Sequence, residues 1–235
     1  MTYGKLYLIP TPLGEGNPAE VLPAPVFDLL PTLNCFVVEE VRTARRFLSS
    51  TGLKGHIAEL EFHELNEHTN PAQAAAYVKL FENGRSVGLL SEAGLPAVAD
   101  PGALLVEQCH RHGIEVVPLV GPSSLMLALM GSGLNGQSFA FAGYIPAKTE
   151  ERRMELKRLE KRSSAAHQTQ ILIETPYRND ALFADMLQTL SGSVRLCVAA
   201  NLTCPDAFIR TRSIAEWKNH PLTIGKRPCV FLFLA

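Results

Sequence analysis

The stretch richest in potential chemistry is Ser91-Glu92-Ala93-Gly94-Leu95-Pro96-Ala97-Val98-Ala99-Asp100-Pro101-Gly102, which follows an apolar run and precedes a helical pattern. Small residues let a backbone approach a ligand closely, and the carboxylates of Glu92 and Asp100 suit hydroxyls or a cation. Val120-Gly121-Pro122-Ser123-Ser124 likewise follows an apolar run and opens a helix. Ser123 or Ser124 suits the N-cap, and the free N–H groups behind it face the same crevice. A third stretch, His63-Glu64-Leu65-Asn66-Glu67-His68, misses the HExxH zinc signature because position 67 is Glu and the second His is at 68. It is too polar for core. It reads either as a capped loop or as a polar cluster at a substrate mouth, where Glu67, Glu64 or His63 accepts a proton.

Two tempting motifs fail on local grounds. Gly14-Glu15-Gly16-Asn17-Pro18-Ala19 matches GxGxxA, with Glu39 and Glu40 where a ribose-binding acid would sit. Pro10 and Pro12 lengthen the turn, and Pro18, Pro23 and Pro25 delay any helix that would cradle a pyrophosphate. A shaped loop at the end of the first strand is the better reading. Tyr144 and Lys148 form YxxxK, but Pro146 between them argues against the helix that pair requires. From Lys148 to Arg162 the chain has seven basic and four acidic residues, the pattern of a solvated helix with i, i+4 pairs. With Arg42, Arg45 and Arg46 it offers a rim for phosphates.

The elements that must position these residues alternate. LYLI (6–9), CFVV (35–38), a run at 56–62, SVGLL (86–90) and IEVVPLV (114–120) read as strands. Between them fall helical patterns, including one with Asn70 as N-cap, Pro71 at its first position and Ala74, Tyr77, Val78 and Phe81 on one face. This β-α-β-α order predicts a mostly parallel sheet with helices on both faces. The helix from Ser124 to Met130 is almost wholly apolar, which predicts burial at a domain junction. Beyond it, runs at 139–145, 169–174, 194–200, 207–213 and 229–234 read as strands, the last ones with little helix between them, so the second sheet is expected to be mixed. The expected organisation is two α/β domains, 1–120 and 121–235.

Composition narrows the class. Hydrophobic residues make up 46% and charged residues 19% of the 235, enough for a real core. Lys and Arg total 22 against 23 Asp and Glu, which excludes a globally basic nucleic-acid binder but leaves room for a local patch. No apolar run reaches the ~20 residues of a bilayer span, and the N-terminal segment lacks a signal-peptide core and cleavage site. Cys35, Cys109, Cys197, Cys204 and Cys229 form no CxxC pair. Buried thiols in a reducing cytoplasm are expected, without the clustered ligands of a zinc site.

LYLIPTPLG at the N-terminus, VEEVR (38–42), FHELNEH (62–68), SEAGLPAVADPG (91–102), VGPSS (120–124), FAGYIPAKTEERR (141–153) and IETPYR (173–178) occur in that order. Together they resemble the tetrapyrrole methylase family over nearly the whole chain, most closely its bacterial branch acting on a cytidine 2′-hydroxyl of small-subunit ribosomal RNA. The resemblance implies a two-domain α/β methyltransferase, usually a homodimer, with S-adenosylmethionine folded in a cleft between the domains. By position, the implied cofactor residues are Pro12, Leu13, Glu92, Ala93, Gly94, Leu95, Ser123, Ser124, Glu174, Thr175, Tyr177, Ala200 and Asn201. Arg42, Lys148 and Arg152 are the implied substrate contacts, and no metal is implied. The chain departs from the branch at Glu40, Val41, Glu92 and Ala99, and at Ala200 and Asn201, where the branch carries Arg and Glu. The expected functions are, in order, an RNA ribose methyltransferase, a methyltransferase for a tetrapyrrole, other small molecule or protein, and an NAD-binding oxidoreductase.

Overall fold

The computed structural model describes residues 2–235. They divide into two compact units, one ending at Ser123 and one covering Ser124–Ala235.

The first unit is a five-stranded sheet of β1 (Leu6–Ile9), β2 (Cys35–Val38), β3 (Glu61–Glu64), β4 (Val87–Leu90) and β5 (Val116–Pro118), in the order β3-β2-β4-β1-β5. All four pairings are parallel. The connections carry α1 (Ala24–Leu29), α2 (Val41–Leu48), α3 (Pro71–Ala76) and α4 (Ala103–Arg111). Every residue of the inner strands β2 and β4 is buried, as a sheet covered on both faces demands. Gly88 in β4 is a packing requirement: a Cβ there would lie 2.7 Å from the Phe36 ring and 2.8 Å from Ile9 Cδ1. One core contains Leu6, Val37, Phe81 and Leu105, and the other contains Ile9, Phe36, Val38 and Leu48.

The run at 56–62 is not one strand. Residues Ile57–Glu59 form a 3₁₀ turn, and the strand begins at Glu61 as an edge with polar side chains. The helix entered through Asn70 also changes form. Asn70 Oδ1 accepts the Gln73 N–H at 2.8 Å as expected, but α-geometry gives way to 3₁₀ turns over Tyr77–Gly84.

The second unit contains α5 (Ser124–Ser132), β6 (Phe139–Gly143), α6 (Thr149–Ala166), β7 (Thr169–Ile173), α7 (Asn179–Thr189), β8 (Arg195–Ala200), β9 (Phe208–Ser213), α8 (Ile214–Lys218) and β10 (Cys229–Leu234). Its sheet order is β6-β7-β10-β8-β9, parallel only between β6 and β7. Trp217 anchors the core. Its indole N–H donates to the Leu196 carbonyl at 2.8 Å, and Phe183 meets its ring edge-on at 5.4 Å.

Two expectations are corrected here. The helix α5 is not buried all round: Leu125, Ala128 and Leu129 are buried, whereas Met126 is 40% and Met130 79% exposed. A helix lying on one sheet buries one stripe whatever its composition. Arg152, expected on a solvated face and in contact with substrate, is 5% exposed. Its Nε donates to Asp185 Oδ2 at 2.7 Å, its Nη2 contacts the same oxygen, and its Nη1 donates to the Ala147 carbonyl at 2.6 Å. It ties α6 to α7, and with Nη2 also donating to Thr149 Oγ1 at 3.4 Å its guanidinium is held inside the unit rather than on a solvated face.

Removing one member of a buried pair strands the other charge, typically at a cost of about 3–5 kcal/mol. Arg153 Nε also donates to Asp185, at 2.8 Å, and offsets part of that loss. Arg152→Met is therefore expected to lower stability by about 3 kcal/mol in urea unfolding, whereas Lys148→Met stays within about 0.5 kcal/mol. Equal midpoints for the two variants would contradict the structural role of Arg152.

Candidate functional site

In the first sheet, β4 lies between β1 and β2 and runs parallel to both, so the loops leaving the three strands share one edge. Ligands of open α/β sheets sit beyond such carboxyl ends. The loops are pinned to one another. Thr11 and Gly94 exchange two backbone hydrogen bonds, at 2.9 and 3.1 Å. Gly94 has φ +81°, and a Cβ there would press on Leu13 at 3.0 Å. Gly121 passes Pro10 so closely that a Cβ would lie 2.1 Å from the proline ring. Pro12, Leu13, Gly94 and Ser123 thus belong to segments joined within the first unit.

Asp100 shapes the loop between β4 and α4. Its Oδ1 accepts the Ala97 N–H at 2.8 Å and the Gly102 N–H at 2.7 Å. Those bonds hold Ala97 and Ala99 at φ +65° and +60°, left-handed conformations that alanine rarely adopts. Glu40 has a different duty: it caps α2, accepting the Arg42 N–H at 2.7 Å, the Thr43 N–H at 2.6 Å and the Thr43 hydroxyl at 2.7 Å. These bonds, led by the Thr43 hydroxyl, hold its carboxyl below the usual range.

The neighbouring acids move the other way. Burial raises the pKa of Glu39, and the carboxylates of Asp100 and Glu92 raise it further. A hydrogen bond from the Glu92 N–H opposes this shift, and Glu67 adds to it. Burial also raises Glu92, against a hydrogen bond with Thr43, and raises Asp100 despite its two N–H donors. Desolvated carboxyls therefore crowd the ends of β2 and β4.

A cavity of about 400 Å³ opens beside these loops. Its walls include Pro12, Leu13, Glu92 and Ala93 on one side and Thr43, Arg46, Phe47 and Ser50 on the other. The latter four are functional candidates that the sequence reading passed over or left as a general rim. Their signal is their spacing, i, i+3, i+4 and i+7, which puts them on one face of α2.

The cluster expected after the third strand is not one cluster. His63 and Glu64 are consecutive in β3, so their side chains leave opposite faces. His63 Nε2 bonds Glu61 Oε1 at 2.6 Å, and its ring lies 5.5 Å from that of Tyr77. Arg85 pairs with the other oxygen of Glu61. Glu67 is highly exposed, with its Oε1 3.7 Å from His68 Nε2. Cys35 joins His63 and Glu61: potential ligand atoms of the three lie within 4.8 Å of one another. The sequence offered no clustered ligands, yet the β2–β3 pairing assembles these. Glu61 is shared between His63 and Arg85, and burial pushes the Cys35 thiol up to about 11.

In the second unit the implied residues also stand at element ends. Glu174 follows β7, with Oε1 accepting from the Thr175 N–H at 2.7 Å and from Arg178 Nε at 3.0 Å. Its Oε2 is buried and unpartnered. Tyr177 is exposed, with the Arg178 guanidinium 5.7 Å from its ring centroid. Ala200 ends β8 fully buried, opposite Cys229 and Phe208 in the flanking strands. Asn201 follows at φ +48°, its side-chain amide bonded to Asp206 at 2.8 Å. Ser124 begins α5. Lys148 is 82% exposed and pairs with Glu151 at 3.3 Å. Arg42 is exposed. Tyr144 and Lys148 share no helix, and behind Gly14 and Gly16 stands only a short 3₁₀ turn, Pro18–Glu20, the first α-helix beginning at Ala24.

The sequence signature of the tetrapyrrole (corrin/porphyrin) methylases matches residues 5–217. The chain is 33% identical over 211 residues to a ribosomal RNA small subunit methyltransferase I of Vibrio cholerae, covering 90% of this chain and 69% of that protein. A protein of the same description from Mesorhizobium japonicum is 33% identical over 215 residues, covering 92% and 69%. The chain thus spans about two thirds of the length of these relatives. Among solved structures, the methyltransferase CobJ superposes with a TM-score of 0.66 at 16% identity, covering 98% of this chain and 94% of that one. That likeness concerns the fold.

A carboxyl whose pKa rises on folding costs stability above its ordinary range and returns it as pH falls through the folded value. Glu39→Gln is therefore expected to raise Tm at pH 8, with the gain shrinking toward pH 4. Thermal melts across that range test it, and a gain that grows toward low pH would refute the assignment of Glu39 as a desolvated acid.

Proposed function

This chain belongs to the tetrapyrrole methylase family and is an S-adenosylmethionine-dependent methyltransferase, and we propose that its acceptor is a ribose 2′-hydroxyl of small-subunit ribosomal RNA. The observation that carries the acceptor is the one-third identity, over about nine tenths of the chain, to two ribosomal RNA methyltransferases. Likeness to CobJ, at 16% identity, supports the fold without favouring a tetrapyrrole acceptor. Family membership sets the oxidoreductase reading aside, in keeping with the short 3₁₀ turn, Pro18–Glu20, that stands behind Gly14 and Gly16 in place of an α-helix.

The residues present fit the cofactor. Gly94, pressed against Leu13, lets backbone line the site closely, and the buried, unpartnered Glu174 Oε2 is an acceptor suited to a ligand hydroxyl or amine. We infer as its contacts Pro12, Leu13, Glu92, Ala93, Gly94, Leu95, Ser123, Ser124, Glu174, Thr175, Tyr177, Ala200 and Asn201, the positions that the family resemblance implies. When bound, it supplies an electrophilic methyl group on a sulfonium, which needs no metal for activation.

The chain must then bring a ribose oxygen into line and receive its proton. Of the three acids and bases first considered, Glu67 keeps this role. It lies outside the strand, 3.7 Å from His68 Nε2, and its charge bears on the half-buried Glu39, whereas His63 is held by Glu61. Arg42 and Lys148 contact phosphates. The enzyme works in the cytoplasm as a homodimer. No helix of the described residues is long and apolar enough to cross a membrane.

S-adenosylhomocysteine at about 100 times Kd is expected to add roughly 2.7 kcal/mol, a Tm rise of about 5–10 °C. Labelled methyl is expected in RNA of isolated small ribosomal subunits that lack the modification, as an alkali-resistant 2′-O-methylnucleotide. Transfer should weaken steeply with salt, and Glu67→Gln should slow the single-turnover step by about 10²-fold or more. Label entering a tetrapyrrole but no RNA would overturn the acceptor.

A further inference from the structure

Cys35 opens β2 and Glu61 opens β3, and the two are register partners in the parallel pairing, with His63 two residues on, opposite Val37. They stand at the amino end of the first sheet, away from the loops that leave β1 and β4. Glu61 and His63 share one face of β3 because strand side chains alternate. The Glu61 N–H donates to the Asn34 carbonyl at 2.9 Å and fixes the register beside Cys35. Paired backbone thus holds a thiol, an imidazole and a carboxylate together before any ligand arrives. Potential ligand atoms of the three lie within 4.8 Å of one another, and among the described residues no other set of three His, Cys, Asp or Glu does so.

The donor set suits zinc, which takes thiolate, imidazole and carboxylate ligands at about 2.0–2.3 Å in a tetrahedron. Ligand atoms at those lengths stand about 3–4 Å apart, so small side-chain movements suffice here. His63 Nε2 and Glu61 Oε1 are 2.6 Å apart. Two such atoms need a proton between them, and a cation can take its place. Arg85 holds the other oxygen of Glu61, and its Nε donates to Asn34 Oδ1 at 3.3 Å. That is the outer hydrogen bonding that orients a ligating carboxylate. The Tyr77 ring, 5.5 Å from that of His63, limits the swing of the imidazole. Cys35 is fully buried, which disfavours a bare thiolate, but bonding to a dication removes that penalty. Glu61 is exposed and His63 partly so, which leaves a way in from their side.

We propose that Cys35, Glu61 and His63 form a binding site for a borderline-soft divalent cation, zinc foremost, with the fourth position left to water. On binding, the Cys35 thiol releases its proton to solvent. The proton between His63 and Glu61 gives way, to solvent or to His63 Nδ1. One thiolate and one carboxylate then balance the dication. The strand β3 is an edge that pairs with β2 alone, and the ion clips it there. Lying at the opposite end of the strands from the loops of β1 and β4, the ion holds the sheet rather than the reacting atoms, and the assignment is independent of the acceptor.

The test uses the full chain, treated with a chelator under reducing conditions and then titrated with zinc and with cobalt(II). One equivalent of either ion is expected to bind. Cobalt should give a thiolate-to-metal charge-transfer band with the intense visible bands of a tetrahedral ion, and zinc should displace both. Zinc at about 100 times Kd is expected to raise Tm by about 5–10 °C. Cys35→Ala should abolish the charge-transfer band and weaken zinc binding by about tenfold or more. Cys109→Ala, from the same core, and Cys204→Ala, at the one thiol that is not buried, should leave both unchanged. His63→Gln, on the partly exposed edge, should also weaken zinc by about tenfold or more and covers the case of a misfolded Cys35→Ala. No charge-transfer band in the native chain, a band that survives Cys35→Ala or is lost in Cys204→Ala, or an unchanged zinc affinity in His63→Gln would overturn the site.

Discussion

Parallel pairing on both sides of β4 is the constraint from which the rest follows. Because β1, β4 and β2 run the same way side by side, their carboxyl-end loops have to emerge together. Residues from positions 11, 40 and 92 then become neighbours although about 80 residues separate the first from the last. The sheet interior is built to permit this. Gly88 clears room for Phe36 and Ile9 in adjacent strands, and Gly121 lets the exit of β5 pass against Pro10. A methyl group at either place would push apart the strands whose ends form the site.

The same convergence concentrates charge. Glu39, Glu67, Glu92 and Asp100 share one edge, and burial disfavours ionisation of three of them. Asp100 is kept for its two backbone hydrogen bonds, which hold two alanines in left-handed conformations. Stability is sacrificed locally so that the loop has one shape, a trade common at ligand sites. Glu40, a few residues away, sits at a helix start, where a carboxylate is welcome. Two adjacent glutamates thus shift in opposite directions because one meets the Thr43 hydroxyl and two N–H donors while the other is half-buried beside carboxylates.

Much of this architecture was legible in the residues. Continuous apolar runs such as CFVV and VGLL announced strands covered on both faces, and Asn70-Pro71 marked a helix start that the structure keeps. What escaped was information carried by long-range partners. Arg152 looks like any charge in a basic run until Asp185, 33 residues on, claims it. His63 and Glu64 look like one cluster until the alternation of β3 sends them to opposite faces. The stripe Thr43, Arg46, Phe47 and Ser50 has helical spacing but no unusual composition, and only the loop opposite turns it into a cavity wall.

The chain contains a single tryptophan, and Trp217 lies in the core of the second unit, hydrogen-bonded to Leu196 and capped by the Arg212 guanidinium 5.0 Å from its ring centroid. Tryptophan emission on denaturation therefore reports that unit alone, whereas far-ultraviolet dichroism averages over both. Divergence between the two signals would reveal that the halves melt separately. Coincidence would mean that they are lost as one cooperative body, and the molecule carries the optical probe for that distinction without any label.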